Sequence, residues 1–174
     1  MRAQEPVRIV DYDPGWPARF EQERTELAAA IGEWIVGGVH HVGSTSVPGL
    51  EAKPVIDILV GVGSLESSRA CFGPLSALGY LYAPYRAGEM HWFCKPDRRR
   101  RTHHLHVVPV ASSRFREELA FREHLRGDAD AAREYGASKR ALATEFEHDR
   151  EAYTAAKADF IRAALDRAGG WTGA

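Results

Sequence analysis

The sequence predicts an α+β or α/β protein, with a mixed β-sheet flanked by helices and a helical C-terminal segment. Two observations support this fold class. Short apolar runs with strand character alternate with helical patterns up to about residue 110, and the pattern after Ser112 is helical only. The connection from the apolar run 54–62 through a helix to 80–85 suits a crossover unit, while the order of the strands stays open.

The first part of the chain, about residues 7–110, is expected to hold the sheet. Apolar residues recur at helical spacing from Trp16 to Ile31, and Asp13-Pro14 is the predicted start of this helix. Residues 54–62 are almost wholly apolar, which is typical of a central strand covered on both faces. The predicted strands are 7–10, 34–42, 54–62, 80–85, 90–95 and 102–110, and Ser64 is expected to cap a helix that ends near Gly79.

Three helices are predicted in the second part, over 112–126, 128–148 and 151–168, with Gly127 ending the first and Asp128 capping the second. Two of them carry the same element, Tyr135-x3-Lys139 and Tyr153-x3-Lys157, which puts an aromatic ring and an amine on one helix face. The favoured interpretation is an amphipathic face with lysine stems packed along it. We expect residues 1–174 to form one domain.

The amino-acid composition argues against some classes of binding partner. The chain has 174 residues with 23 basic and 24 acidic side chains, so its net charge of -1 gives no positive field for wrapping a nucleic acid. No apolar run approaches membrane-spanning length. Cys71 and Cys94 are too few for a disulfide framework and are expected to be reduced core thiols. We therefore expect a cytoplasmic protein with a small-molecule or nucleotide ligand, and neither a nucleic acid nor a membrane as partner; its oligomeric state is not predicted.

The stretch from His41 to Val60 carries the main chemical signal. Gly43-Ser44-Thr45-Ser46 is a small turn whose backbone N–H groups and hydroxyls can hold a phosphate, and Lys53 follows it. The same hydroxyls can instead cap the loop, and Lys53 can instead pair with Glu51. Asp57 lies inside the apolar strand, where an ionised carboxylate is costly unless it is paired or bound to a cation. Asp57 is therefore the leading site residue.

Histidines provide a second set of candidates. His104 and His106 are two apart on a predicted strand and should point to the same face, where Asp57 of a neighbouring strand can join them, while His103 should point to the other face. His41, just before the turn, is a candidate fourth member. Such an Asp/His set suits Zn²⁺, Mn²⁺ or Fe²⁺ better than Mg²⁺. The alternative is a polar pocket in which these histidines form hydrogen bonds and bind no metal.

Basic side chains outside the turn leave further alternatives. Lys95 and the run Arg98 to Arg101 form either a solvated hairpin tip or a phosphate clamp. Arg122 is expected to pair with a helix carboxylate such as Glu123 or to face the pocket. The expected phosphate-binding residues are Gly43, Ser44, Thr45, Ser46, Lys53, Arg122 and Lys139.

Several motifs together resemble the GrpB family. They are the run from His41 to Asp57, the start Asp13-Pro14-x-Trp16-Pro17-x-x-Phe20, and the segments His104-Leu105-His106-Val107 and Phe121-Arg122-Glu123-x-Leu125-Arg126. With the two Tyr-x3-Lys helices, the resemblance covers about residues 7–165. It implies the nucleotidyltransferase-like fold of the DNA polymerase β superfamily, whose active members hold two Mg²⁺ ions on three carboxylates.

The resemblance also implies roles for single residues. Gly43-Ser44 matches the family turn and Asp57 its first carboxylate, but Leu59 stands at the position of the second carboxylate, and the strand that would supply the third carries His104 and His106. The metal cage is therefore incomplete. The expected catalytic residues are Ser44 for phosphate positioning, Asp57 for metal binding and His106, or His104, as ligand or general base.

Three functions follow as hypotheses. The first is a transferase of nucleotidyl or phosphoryl groups to a small acceptor, with a nucleoside triphosphate and a divalent metal (Mg, Mn or Zn). The second is an inactive nucleotide-binding or accessory module, because the resemblance extends to domains fused to dephospho-coenzyme A kinase. The third is a hydrolase-type enzyme with a transition metal on Asp57 and the histidines.

Overall fold

The computed structural model describes residues 6–167. Its helices and strands, in chain order, are α1 (Trp16–Ile31), β1 (Ile35–Val42), β2 (Ile56–Val62), α2 (Phe72–Ala77), β3 (Leu81–Tyr82), β4 (His91–Pro96), β5 (Arg101–Pro109), α3 (Ser113–Gly127), α4 (Ala129–Glu145) and α5 (Arg150–Arg167). The strands form one mixed sheet and the helices flank it, which confirms the predicted α+β class with a helical C-terminal segment.

The strand order is β1-β2-β5-β4-β3. β2 and β5 run parallel, and every other neighbouring pair is antiparallel. β2 lies between β1 and β5, and all its residues except Asp57 are buried. The prediction of a central apolar strand is therefore confirmed, and the physical reason is that helices cover both faces of the sheet.

The two faces of the sheet pack against different helices. Ile58, Val60 and Leu105 belong to a core cluster with side chains of α1 and α2, and we call this side the α1 face. Leu59 and Val108 belong to a second cluster with α3, and we call this side the α3 face. Helices α4 and α5 pack against α3 and the loop that follows the Gly43-Ser44 turn, through a cluster of Val47, Leu50, Phe121, Leu125, Tyr135 and Ala164.

Four predicted elements before residue 90 differ in extent from the structure, and the predicted strand 80–85 is only the two-residue β3. Residues 7–10 form no strand; Val10 makes only an isolated bridge to Ala52. The first helix begins at Trp16 because the Asp13 carboxylate accepts the Gly15 N–H at 2.7 Å and holds a turn there. The expected helix from Ser64 to Gly79 is only the short α2, preceded by a 3-10 turn over Arg69–Cys71.

The predicted breaks in the C-terminal segment are confirmed. The Ser112 hydroxyl accepts the Phe115 N–H and caps α3, and the Asp128 carboxylate accepts the N–H groups of Asp130 and Ala131 and caps α4. The predicted end of the last helix at Ala168 lies outside the described residues. Cys71 and Cys94 are buried free thiols, as expected. Within residues 6–167, none of the helices is both long and apolar enough for a membrane crossing.

Substitution of Leu59 tests whether this position, where the superfamily has its second carboxylate, is part of the apolar core. Its side chain is fully buried among Val42, Met90, Trp92 and Val108. We expect Leu59→Asp to lower the free energy of unfolding by about 3–5 kcal/mol, the scale of an uncompensated buried charge. Leu59→Met, the matched control, should cost less than about 1.5 kcal/mol. Urea unfolding at pH 7 measures both, and equal stability of Leu59→Asp and the parent chain would contradict this placement.

Candidate functional site

Asp57 and His104 form the centre of the candidate site. They are register partners on the parallel strands β2 and β5, so both side chains lie on the α3 face. His104 Nδ1 lies 3.0 Å from Asp57 Oδ1. Burial opposes the ionised carboxylate, but this hydrogen bond and the neighbouring positive charges hold the pKa of Asp57 well below its usual range. Asp57 is therefore ionised at neutral pH and orients the imidazole of His104.

The other ring nitrogen of His104 is left without a partner. His104 Nε2 is buried and makes no hydrogen bond within the described part of the chain. With Nδ1 bonded to Asp57, Nε2 carries the lone pair of the neutral ring. Burial lowers the pKa of His104 more than Asp57 raises it, so this ring is neutral at pH 7. A buried, oriented and unpaired imidazole nitrogen can accept a proton from a bound ligand.

His106 belongs to a parallel arrangement on the same face. Its Nδ1 lies 3.0 Å from Glu118 Oε2 of α3, and Arg114 reaches Glu118 Oε1 at 3.3 Å and Glu89 Oε2 at 2.8 Å. Burial alone would lower the pKa of His106, but the Glu118 carboxylate outweighs it and raises this pKa above 6.5. The pKa values of the two histidines are thus shifted in opposite directions: burial lowers that of His104, and Glu118 raises that of His106.

The Gly43-Ser44 turn lies directly against Asp57. Gly43 has φ +71°, and a Cβ atom there would lie 2.5 Å from Asp57 Oδ2, so only glycine permits this approach. Ser46 Oγ donates to the Gly43 carbonyl at 2.5 Å and closes the loop, which matches the capping role considered for these hydroxyls. Ser44 Oγ is buried and has no hydrogen-bond partner in residues 6–167. Ser44 thus differs from Ser46, whose hydroxyl is bonded within the turn.

Three lysines surround Asp57, and we call Lys53, Lys139 and Lys157 the lysine cluster. The charge of Asp57 stabilises the protonated form of each of them. Lys139 is 1% exposed and donates to the Glu51 carbonyl. Burial and then Lys157 lower its pKa to about 7, and burial and then Arg150 lower the pKa of Lys53 to about 8. The cluster contains more positive charge than Asp57 alone can balance.

The Tyr-x3-Lys elements therefore point inward, which corrects the favoured interpretation of a packed amphipathic face. Lys157 is stabilised by Tyr135, which hydrogen-bonds its amine and raises its pKa, and by Asp57. Lys139 Nζ lies 4.9 Å from the centroid of the Tyr135 ring. Lys53 does not pair with Glu51, because Glu51 binds Arg140 instead. The C-terminal helices thus supply two of the three lysines.

His41 does not join this site, contrary to expectation. It pairs in register with Ile58, while Asp57 pairs with Val42, so the His41 ring lies on the α1 face. There it stacks on Phe20 at 4.8 Å, and its Nε2 lies 2.9 Å from Thr45 Oγ1. His103 also lies on the α1 face, as predicted, with Nε2 3.8 Å from Glu23.

The residues present do not fit a resident metal ion. Among residues 6–167, no three His, Cys, Asp or Glu side chains lie where they can share one cation. The two carboxylates on the α3 face each bind a histidine Nδ1 instead, Asp57 that of His104 and Glu118 that of His106. The expected set of Asp57, His104, His106 and His41 is therefore not assembled as a metal centre, and we derive no step through a bound metal.

Arg122 pairs with Glu123, the first of its two alternatives. Its Nε donates to Glu123 at 2.8 Å and its Nη1 to the His41 carbonyl at 3.1 Å, and Arg126 Nε donates to the Ser46 carbonyl at 2.9 Å. Both arginines line a surface pocket of about 360 Å³ beside Phe20 and His41. Arg122 and Arg126 therefore hold the two ends of the loop that carries Gly43 and Ser44.

The basic run of the β4–β5 turn forms an exposed hairpin tip. Arg98, Arg99 and Arg100 are exposed, and the Asp97 carboxylate accepts the N–H groups of Arg99 and Arg100. Lys95 instead pairs with the buried Glu23 at 2.5 Å on the α1 face. This run is the solvated hairpin tip that was the alternative expectation.

Comparison with known proteins identifies the family of this chain. The profile described as "GrpB protein" matches residues 6–167. The chain belongs to the GrpB family. A UPF0157 protein of Pseudomonas aeruginosa is 38% identical, over 93% of this chain and 67% of that protein. The crystal structure of the conserved protein GrpB from Enterococcus faecalis is 31% identical, with a TM-score of 0.80 over 92% of this chain and 99% of that one.

Some GrpB relatives are considerably longer than this chain. The UPF0157 protein YqkA of Bacillus subtilis is 30% identical, and the match covers 95% of this chain but only 48% of that protein. A protein named dephospho-CoA kinase from Mycolicibacterium paratuberculosis is 32% identical over 97% of this chain, which spans 47% of that kinase. The chain thus spans about half the length of these two relatives.

Sequence reasoning missed Glu118 and Arg114. Their importance follows from where α3 crosses the sheet, since Glu118 is twelve residues from His106 and on another element. No spacing rule links a strand residue to a helix residue across a turn of this kind. The only available signal was the weaker one that buried histidines need hydrogen-bond partners.

Gly43 tests the contact between the turn and Asp57. We expect Gly43→Ala to combine the cost of a non-glycine residue at positive φ, about 1–2 kcal/mol, with displacement of the Asp57 carboxylate. Gly49→Ala is the matched control, since Gly49 has φ +78° and open space around the added Cβ. Chemical unfolding should show a larger loss of stability for Gly43→Ala, and equal losses would show that the close approach to Asp57 is unimportant.

Lys139 provides a pH test of the lysine cluster. Its pKa in the folded state, about 7, lies below the value of 10.5 for a free lysine. The proton on Lys139 therefore opposes folding in full below about pH 7, and this penalty fades as the pH rises towards 10.5. Lys139→Met should be more stable than the parent at pH 6, and above pH 7 this advantage should shrink by up to about 1.4 kcal/mol for each step of one in pH. Urea titrations from pH 6 to pH 10 measure it; a pH-independent difference would contradict the buried charge.

Proposed function

We propose that this chain binds a phosphate-bearing ligand of the nucleotide class at the Asp57 site and transfers its phosphoryl or nucleotidyl group to a small acceptor. The observation that carries this proposal is the buried, unpartnered Nε2 of His104, held by Asp57 beside the lysine cluster. A nitrogen in this state needs a donor, and the surrounding cations need an anion.

The balance of charge supports an anionic ligand. Glu118 is engaged by His106 and Arg114. Glu51 pairs with Arg140 and also stabilises protonated Lys139, so it is shared between two cations. Asp57 is one negative charge against Lys53, Lys139 and Lys157. A phosphate group supplies the missing negative charge and several acceptor oxygens for their amines. Binding should also raise the pKa of Lys139 and Lys53, because an anion stabilises their protonated forms.

The neutral His104 supports chemistry as well as binding. An acceptor hydroxyl that donates to His104 Nε2 is activated for attack on phosphorus, and Asp57 stabilises the imidazolium that forms. Ser44 Oγ and the adjoining backbone of the turn provide a polar wall for the phosphate. In this arrangement the lysines supply the positive charge that metal ions supply in phosphoryl-transfer sites built on carboxylates.

A second candidate function is that of an accessory module. The length of the relative named dephospho-CoA kinase favours it, because this chain matches only 47% of that protein. In this case the domain would bind and support a kinase domain, and the Asp57 site would bind a nucleotide without turning it over. Binding of nucleotide without transfer, together with binding to a dephospho-CoA kinase domain, would favour this candidate.

Calorimetry with AMP, ATP and pyrophosphate tests the proposed ligand class. In EDTA we expect at least one of these to bind, and Lys157→Met and Lys53→Met to weaken its Kd by about tenfold or more, a loss of about 1.4 kcal/mol each. Arg133→Gln, an exposed change on α4, is the control and should leave the Kd unchanged. Repeating the titrations with Mg²⁺ shows whether the nucleotide must bring a metal. Failure of all three ligands to bind the folded protein would reject the proposal.

A further inference from the structure

We propose that His106, supported by Glu118 and Arg114, is the second proton-transfer residue of the Asp57 site and protonates the leaving oxygen of a phosphoester, so that the transfer needs no resident metal. The inference rests on the proposed function and adds its acid step. An acid at this position predicts substrates with a poor leaving group, such as an alkoxide, because such a group needs a proton as it departs.

The geometry places two equivalent imidazoles side by side. His104 and His106 are two residues apart on β5, a separation of about 6.6 Å along a strand, and both lie on the α3 face. Each has its Nδ1 fixed by a carboxylate at 3.0 Å, from Asp57 or Glu118. Each ring therefore presents Nε2 as its functional atom. Within residues 6–167, His104 Nε2 has no hydrogen-bond partner, and both contacts of His106 with Glu118 are made by Nδ1.

The charged groups around His104 and His106 favour opposite protonation states of the two rings. Burial, His106 and Lys53 oppose a proton on His104, so this ring is neutral at neutral pH. His106 faces Glu118 and Arg114 on α3, Asp57 on β2 and His104 on its own strand, and the carboxylates outweigh burial and Arg114. Two titratable groups whose surroundings push their pKa values apart are the pattern of an acid and a base in one site.

The step is balanced without a further reactant. The acceptor oxygen loses its proton to His104 Nε2 and forms a bond to phosphorus. The bond from phosphorus to the leaving oxygen breaks, its electron pair goes to that oxygen, and the oxygen takes the proton of His106 Nε2. Lys53, Lys139 and Lys157 neutralise the charge on the non-bridging oxygens. Glu118 and Arg114 are positioning residues, because they act on the reaction only through His106.

The leaving group provides a decisive test. Two esters of thymidine 5′-monophosphate are compared in EDTA: the p-nitrophenyl ester, which departs without a proton, and the methyl ester, which requires one. We expect His106→Gln to slow hydrolysis of the methyl ester by about 10²-fold or more and that of the p-nitrophenyl ester by less than about tenfold. His104→Gln should slow both. Equal loss on both esters in His106→Gln would overturn the acid role.

A second measurement separates positioning from folding. Histidine NMR titrations should show His106 gaining its proton at higher pH than His104, and Glu118→Gln should lower the pKa of His106 by about one unit or more. Glu117→Gln, on the exposed side of α3, is the matched control. The same Glu118→Gln change should shift the alkaline limb of the pH–rate profile for the methyl ester to lower pH. An unchanged His106 pKa would overturn the inference.

The outcomes distinguish this inference from the proposed function. If AMP, ATP and pyrophosphate all fail to bind, the proposed function itself is wrong. If one of them binds but the folded protein turns over neither ester between pH 5 and pH 9, the binding proposal stands and the acid–base inference is overturned. Turnover that appears only with added divalent metal overturns the metal-independent step as well.

Discussion

One interaction organises this molecule: the contact between the Asp57 carboxylate and His104 Nδ1 across the parallel strands β2 and β5. β2 is an interior strand of the sheet and all its residues except Asp57 are buried, so an ionised side chain within it needs compensating partners nearby. The parallel register brings His104 beside it, and Gly43 lets the preceding turn approach its second oxygen. The lysine cluster adds further positive charge around this carboxylate.

The carboxylates near the α3 face have different partners from those of metal-dependent phosphoryl-transfer sites. Such sites commonly direct carboxylates at metal ions, which then hold the phosphate. Here Asp57 and Glu118 each hold a histidine, and positive charge comes from amines on the protein. Leu59 is consistent with this arrangement, because its apolar side chain packs on the α3 face. A carboxylate at this position would need a cation beside it. The chemistry this favours is proton transfer by imidazole.

The site is assembled from the whole chain. The Gly43-Ser44 turn is held at both ends by arginines of α3, through the carbonyl groups of His41 and Ser46. Two of the lysines come from α4 and α5, which pack on α3 and not on the sheet. Helices α3, α4 and α5 therefore determine both the position of the Gly43-Ser44 turn and the positive charge around Asp57. This physical coupling explains why the site cannot be understood from the strands alone.

The sequence by itself determined the fold class, the interior place of residues 56–62 in the sheet, the caps at Ser112 and Asp128, and the position of Asp57, His104 and His106 on one face of the sheet. Each follows from local chemistry: period, capping and the cost of a charge in an apolar strand. Only the tertiary structure decided that His41 faces away, that Glu118 supports His106 and that the lysines of the Tyr-x3-Lys helices turn inward. These orientations depend on the register of the strands and on where the helices cross the sheet. A shift of one residue in register moves a side chain to the other face, and local sequence spacing specifies neither the register nor the crossing.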